Sequence, residues 1–379
     1  MMRIASLAPP VAGPSPLTAR RAVALFVAAS SMFTWQAHAS PLTIANFGGA
    51  NGKAQAEAFQ KPFSQRHGVQ VLAVEYTGDL APIRAMVKSG RVEWDVAEVE
   101  SADLQAGCEA GLFEKIDRAS LANATQILPR SVHACGVGAF VWSTVLAYDP
   151  AKLKDAPKGW ADFWNVDKYP GKRGMRAGAR YNLEFALMAD GVKRDEVYST
   201  LSTNAGIERA IRKLRALRPH IVWWDAGSQP PKLLASGEVV MSTAFNGRIA
   251  VANRNDGAPR LDIAWNDAIC ELDYWVILKG ARNIETARRY LDFVTSEEPQ
   301  LAFSREIPYG PTNYNAILKY DSGRRVPAGG AHQALIDLSM MSSDLPSAPG
   351  NFRKSLAFDT DFWTRNGAAI EKRFNEAMR

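Results

Sequence analysis

Cysteine is scarce in this chain: three in 379 residues, at positions 108, 135 and 270. No two have C-x-x-C spacing, so a dithiol redox motif is absent, and three are too few for a disulfide scaffold. Histidine is scarce too. Past residue 39 it occurs only at 67, 133, 220 and 332, in no H-x-x-x-H or H-E-x-x-H arrangement. His133 and Cys135 would share one face of a strand, but two ligands do not make a metal site, so no metal and no cofactor is expected. The chain lacks a G-x-S-x-G elbow and a Walker loop ending in Lys-Ser or Lys-Thr. No nucleophile–base pair replaces them, which speaks against an enzyme. Past the N-terminus no run of about 20 apolar residues is free of charge, so no membrane span is expected.

Acid is missing altogether from the first 39 residues, which carry Arg3, Arg20 and Arg21. An uncharged, mostly apolar run from Ala22 to Trp35 follows, then Ala37-His38-Ala39. A basic flank, a short apolar core and a small-x-small site are the three parts of a cleaved secretory signal, so a periplasmic location is expected. Removing the three arginines lowers the formal charge from +6 to +3. The five basic residues between Arg209 and Arg218 fall along one helix as a solvated face, and nucleic acid is not an expected partner.

What remains has the composition of a globular chain, 47% hydrophobic and 22% charged, with length for roughly two domains. Strands are predicted at 42–46, 69–76 and 94–99, separated by helices over 54–63 and from Leu80 to Val87. Asp79 caps the second helix and Gly90 ends it. This β-α-β-α-β order calls for a parallel sheet flanked by helices. A second α/β unit shows strands at 221–224 and 239–243, with helices around Ile207–Leu217, from Pro230 to a stop at Gly237, and from Asn246. Asn283 is expected to cap a helix carrying Ala287, Tyr290, Leu291 and Val294, and 359–378 reads as a last amphipathic helix. Cys108 and Cys135 both fall in the first unit. A bridge between them would add about 3 kcal/mol; three buried thiols are the alternative.

Ligands of open α/β sheets bind beyond the carboxyl ends of strands. The residues so placed are Phe47 to Asn51, Glu98 to Ser101, Asp225 to Gln229 and Phe245 to Arg248. Carboxylates beside aromatic faces suit an ammonium ligand, through charge-assisted hydrogen bonds and cation–π contact.

Several segments then carry a family resemblance. They are Asn46-Phe47-Gly48-Gly49, Glu75-Tyr76, Trp94-Asp95-Val96 and the run from Val141 to Asp149. Trp160-Ala161-Asp162-Phe163-Trp164, Pro170-Gly171-Lys172-Arg173-Gly174, Leu272-Asp273-Tyr274-Trp275 and Pro308-Tyr309-Gly310-Pro311-Thr312-Asn313 follow. In order and spacing the chain resembles periplasmic solute-binding proteins of the spermidine/putrescine type, from ABC importers. The resemblance implies the type II periplasmic-binding-protein fold: two α/β lobes, each a mixed, mostly parallel sheet flanked by helices, joined by chain crossings near 140–146 and 270–276. Lobe one would hold 41–142 and 274–320, lobe two 143–272, with a C-terminal helical segment (321–379) packed on both. A monomer that delivers its ligand to an inner-membrane permease is implied.

The resemblance makes Asp273 the amine-binding acid, with Phe47, Trp142 and Tyr309 as pocket aromatics, and places Glu184 near a pocket acid. Glu100, Ser101 and Asp225 join them by position. Two departures stand out. Arg248 follows Phe245-Asn246-Gly247 where polyamine binders carry an acid, and Glu271 replaces an aromatic two residues before Asp273. An arginine in the cleft disfavours a polycation and would clamp a carboxylate; alternatively Arg248 pairs with Glu271 and leaves the pocket acidic. The expected ligand is therefore a polyamine, with an amine-bearing acid such as γ-aminobutyrate or an opine as the alternative. A ferric ion is less favoured, because Tyr309 with Tyr314 is a thin ligand set.

Overall fold

The computed structural model describes residues 40–254, 257, 260–320 and 345–379. The expected export signal and residues 321–344 of the expected C-terminal segment lie outside the described residues. Ten strands are described: β1 Leu42–Asn46, β2 Val71–Glu75, β3 Val96–Glu100, β4 Val132–His133, β5 Gly136–Tyr148, β6 Arg173–Arg176, β7 Ile221–Trp224, β8 Met241–Phe245, β9 Asp262–Ile277 and β10 Leu356–Ala357.

The first alternation forms as its pattern demands. β1 lies parallel to both β2 and β3, with Leu42 opposite Val71 and Ile44 opposite Val96. β6 likewise lies parallel to β7 and β8. Between these two groups run the longest strands, β5 with 13 residues and β9 with 16, antiparallel to each other. The far end of β9 pairs with β3 through Asp273–Ile277, and the far end of β5 pairs with β8 through Thr144–Tyr148. The order β2-β1-β3-β9-β5-β8-β6-β7 results. The crossings expected near 140–146 and 270–276 are thus two shared strands, and the halves form one hydrogen-bonded sheet. β5 can do this because all 13 of its residues are buried and none is charged, so both faces can be covered. Its register with β9 shifts at Gly138/Phe140 and at Thr144/Leu146, and Asp267 of β9 has φ +59°, a bulge that twists the ribbon between the halves.

Two local expectations change. The helix expected from Ala54 begins at Gly49, because Gly48 and Gly49 (φ +55° and +56°) turn the chain straight off β1. It continues through a π-type turn at Ala56–Gln60 to His67. Asn283 makes no side-chain cap to the helix Ile284–Val294. Its amide instead donates to the Pro41 carbonyl and to Asp95 Oδ2, tying that helix to the start of β1. Asp79 does cap the helix Leu80–Ser89, accepting from the Ala81 amide at 2.8 Å. Cys108 and Cys135 are joined, their Cα atoms 5.7 Å apart, and Cys270 is buried and free.

The last helix, Thr360–Ala377, is capped by Asp359 and lies across both halves. Thr360 Oγ1 is 2.9 Å from Ser101 Oγ, and Glu371 accepts the amides of Ala179 and Arg180. Trp363 Nε1 donates to Glu184 Oε1 at 2.6 Å, and the Tyr198 hydroxyl donates to the same oxygen. Burial pushes the Glu184 carboxyl up to about 7, against these donors. A carboxyl raised on folding stabilises while protonated: its contribution is complete below the ordinary carboxyl range and is lost as pH rises through about 7. Glu184→Gln keeps the acceptor and removes the charge. It should raise the melting temperature at pH 8 and leave it nearly unchanged at pH 5, a difference on the order of 3 kcal/mol. Equal shifts at both pH values in thermal melts would refute this role.

Candidate functional site

Strand alternation builds the site. Residues two apart share a face, so Glu98 and Glu100 of β3 and Glu271 and Asp273 of β9 project together. Glu100 is directly opposite Asp273, and across β5 Phe140 is opposite Asp273 and Trp142 opposite Glu271. All four acids are at least 95% buried. Each needs compensation, because an unpaired buried carboxylate is costly.

They are compensated in different ways. Glu98 accepts from Asn51 Nδ2 (2.8 Å), Gln55 Nε2 (2.8 Å) and the Phe47 amide (3.3 Å), all on the helix that leaves β1 or its entry turn. Asp273 accepts from Trp142 Nε1 at 2.7 Å. Glu271 accepts from the amide and hydroxyl of Ser101 and from the Tyr181 hydroxyl at 2.6 Å. Glu100 pairs with Arg176 and Arg180, each at 2.7 Å. Tyr181 has φ +70°, a conformation that costs a non-glycine residue free energy, and this sets its hydroxyl between Glu271 and Glu100.

Protonation follows from these surroundings. Burial, and then the charges of Glu98, Glu100 and Glu271, push the Asp273 carboxyl well above the carboxylate range. Burial raises Glu98 too, against its amide donors. Glu271 is pushed up to about 8 by burial and by Glu100. Burial works upward on Glu100 as well, but Arg176 and Arg180 outweigh it and hold Glu100 below its ordinary value.

Above this face is a cavity of about 130 Å³. Phe47, Tyr76, Phe140, Trp142, Phe245 and Tyr309 give it aromatic walls. Phe140 and Tyr309 stack with centroids 4.9 Å apart, and Trp142 meets Phe245 edge-on at 4.9 Å. Arg248, 4% exposed, lines the same cavity. It donates to the carbonyls of Gly48 and Phe47, both at 3.1 Å, so it ties the helix after β8 to the turn after β1. Its Nε has no partner among the described residues. Glycine is needed beside it: a Cβ at Gly49 would stand 2.6 Å from Arg248 Nη1, and one at Gly227 2.7 Å from Nε.

Of the residues expected from sequence, Phe47, Glu100, Trp142, Asp225, Arg248, Asp273 and Tyr309 line this cavity. Ser101 does not; it holds Glu271 from behind. Glu184 is not at the cavity either, since it is engaged by Trp363 and Tyr198 under the last helix. Arg248 does not pair with Glu271, because each is taken up by other partners. Asn51, Glu98 and Phe245 fall in the strand-end stretches singled out from sequence: Asn51 and Phe245 line the cavity and Glu98 supports it, whereas Phe140 and Arg176, which line it, and Tyr181, which supports it, were not expected. Glu98 was marked by its place at the end of a predicted strand. Nothing local marks Arg176 or Tyr181, which arrive from a different part of the sheet.

A family model described as bacterial extracellular solute-binding protein matches residues 54–324. A γ-aminobutyric acid-binding protein of Pseudomonas aeruginosa PAO1 is 44% identical over 340 residues, 90% of this chain and 91% of that protein. Among solved structures, the binding protein MotA of A. tumefaciens B6, in complex with glucopine, superposes with TM-score 0.78 at 30% identity, covering 89% of this chain and 100% of that one. The Atu4243 GABA receptor superposes with TM-score 0.73 at 28% identity, covering 89% and 98%. With its α/β periplasmic-binding-protein fold, the chain belongs to the bacterial extracellular solute-binding proteins, substrate-binding components of ABC transporters rather than enzymes.

Proposed function

We propose that this protein captures a small zwitterion of the γ-aminobutyrate class, an aliphatic chain with an ammonium at one end and a carboxylate at the other. The observation that carries this reading is one small cavity walled by both Asp273 and Arg248, the latter with a buried, unpartnered Nε. The acid face takes the ammonium, Arg248 takes the carboxylate, and the aromatic walls pack on the methylenes. A polyamine, the ligand expected first from sequence, carries a cation at each end and would place one of them against Arg248, at a cost in affinity. The γ-aminobutyric acid-binding relative favours the zwitterion in the same direction. An opine has the same two charged groups but is bulkier, and the cavity is already below the roughly 300–1,000 Å³ of drug-sized pockets.

In this reading the two halves of the sheet act as lobes, 41–142 with 274–320 and 143–272, and residues 345–379 brace both. The lobes close on the ligand about β5 and β9, a shift between two populations. The signal over 1–39 sends the protein to the periplasm, where it works as a monomer and hands its solute to an inner-membrane ABC permease.

A thermal-shift series on mature protein should show a raised melting temperature with γ-aminobutyrate and none with putrescine or spermidine. The opposite ranking would restore the polyamine. Asp273→Asn should weaken γ-aminobutyrate binding by about 100-fold, or ~3 kcal/mol, without lowering the melting temperature of ligand-free protein. Arg248→Gln should weaken γ-aminobutyrate, because it removes the cation that takes the carboxylate. Wild-type affinities in calorimetry for either variant would remove that residue from the site.

Binding should also depend on pH. Asp273 is raised well above the carboxylate range and Glu271 to about 8. An ammonium favours their ionised forms, so a proton leaves as the ligand enters, and affinity should fall as pH drops from about 8 to 5. Calorimetry in buffers of different ionisation enthalpy should give different apparent heats at pH 7. Identical heats would exclude this linkage.

A further inference from the structure

Arg176 and Arg180 follow β6, in the half of the sheet that carries β7 and β8, whereas Glu100 and Asp103 lie at the end of β3 and on the helix Ser101–Glu109 in the other half. Arg176 Nη1 reaches Glu100 Oε1, and Arg180 Nη1 reaches both Glu100 Oε2 and Asp103 Oδ2, all at 2.7 Å. Neither Arg180 nor Asp103 lines the ligand cavity. We propose that Arg180 and Asp103 are positioning residues of an ionic latch across the cleft, which sets ligand affinity by holding the two halves together without touching the ligand.

Three features support a latch over incidental surface pairing. Every pair joins opposite halves of the sheet, so opening the cleft breaks all three pairs together. Glu100 is 4% exposed, hence its two guanidinium partners cannot be replaced by water without exposing a buried acid. Tyr181, adjacent in sequence to Arg180, bonds both Glu100 and Glu271 of β9, which couples the latch to the strand about which the halves join. The latch also bears on selectivity. It occupies both oxygens of the one cavity-lining acid on β3, so Glu100 is spent on protein cations and Asp273 is left for a ligand ammonium.

Affinity follows the fraction of molecules able to close, so weakening the latch raises the apparent dissociation constant by the factor that fraction falls. The Arg180 and Asp103 side chains remain 23% and 20% exposed, within reach of screening salt. Asp103→Asn removes one pair from a partly exposed helix position and spares the fold; Arg180→Gln removes two. This inference rests on the reading of the protein as a closing binder of γ-aminobutyrate, so the first measurement avoids ligand. Small-angle scattering of ligand-free protein should give a larger radius of gyration for both variants than for wild type, and raising salt from 50 to 500 mM should expand wild type towards the variants. With γ-aminobutyrate as probe, stopped-flow should show dissociation faster by about 10-fold for Arg180→Gln and less for Asp103→Asn, with association little changed. Ligand-free wild type as open as both variants at every salt concentration would overturn the latch, whatever the ligand proves to be. So would variants that fold normally and keep wild-type scattering and dissociation rates. Failure of γ-aminobutyrate to bind wild type would count against the ligand assignment and leave the scattering comparison to decide the latch.

Discussion

Four carboxyl groups buried on one face of one sheet are the constraint to which the rest of this molecule answers. Glu98, Glu100, Glu271 and Asp273 come together because β3 and β9 pair antiparallel with side chains alternating in step. In a region this dry, each charge must be neutralised by a proton, a donor or a cation. Every conspicuous feature nearby supplies one. The glycine turn after β1 starts its helix early and so delivers Asn51 and Gln55 to Glu98. The strained backbone of Tyr181 delivers its hydroxyl to Glu271, and the loop after β6 delivers Arg176 and Arg180 to Glu100.

Asp273 has no cation beside it: it accepts from the Trp142 indole, shares a hydrogen bond with the Glu98 carboxyl and faces three acidic neighbours. A group in that position gains from any cation that reaches it, and the cavity lies in front of it. At the opposite pole, the buried Arg248 Nε has no hydrogen-bond partner among the described residues. Under the proposed reading, an acid and an arginine on either side of aromatic walls complement an amino acid whose charges are held apart by methylenes. The cleft is bridged by Arg248 to the carbonyls of Phe47 and Gly48 as well as by the Glu100 pairs, so both edges of the cavity carry contacts between the halves.

The fold was largely legible. Period-two strands, helices ended by Gly90 and Gly237 and the repeated β-α alternation announce an α/β sheet with few local surprises. The strand β5 was not read from local pattern, because a run buried on both faces has no period-two alternation; only the family resemblance marked a crossing at 140–146. The boundaries that moved did so for backbone reasons, since positive φ at Gly48 and Gly49 starts a helix that apolar spacing alone placed at Ala54. Asn283 looked like a cap because asparagine before an amphipathic helix usually is one; instead its Oδ1 accepts from the Ser40 hydroxyl while its amide nitrogen donates to Asp95. In the site, residues next to strand ends were legible from position. Glu184, placed near a pocket acid by the family resemblance, is put by the fold under the last helix.

Sequence alone determined the kind of chemistry: aromatics and acids at strand ends, and an arginine where a pure cation binder would carry an acid. Periodicity is local, so it decides which face a side chain takes and therefore which acids can meet. Tertiary structure alone decided which charges are spent and which remain. Whether Arg248 pairs with Glu271 or faces the cavity, and whether Glu100 serves a ligand or two arginines, depends on segments more than 70 residues apart in the chain being brought within hydrogen-bond distance. Electrostatic compensation is a property of the assembled site, because desolvation and neighbouring charge exist only once distant elements have packed.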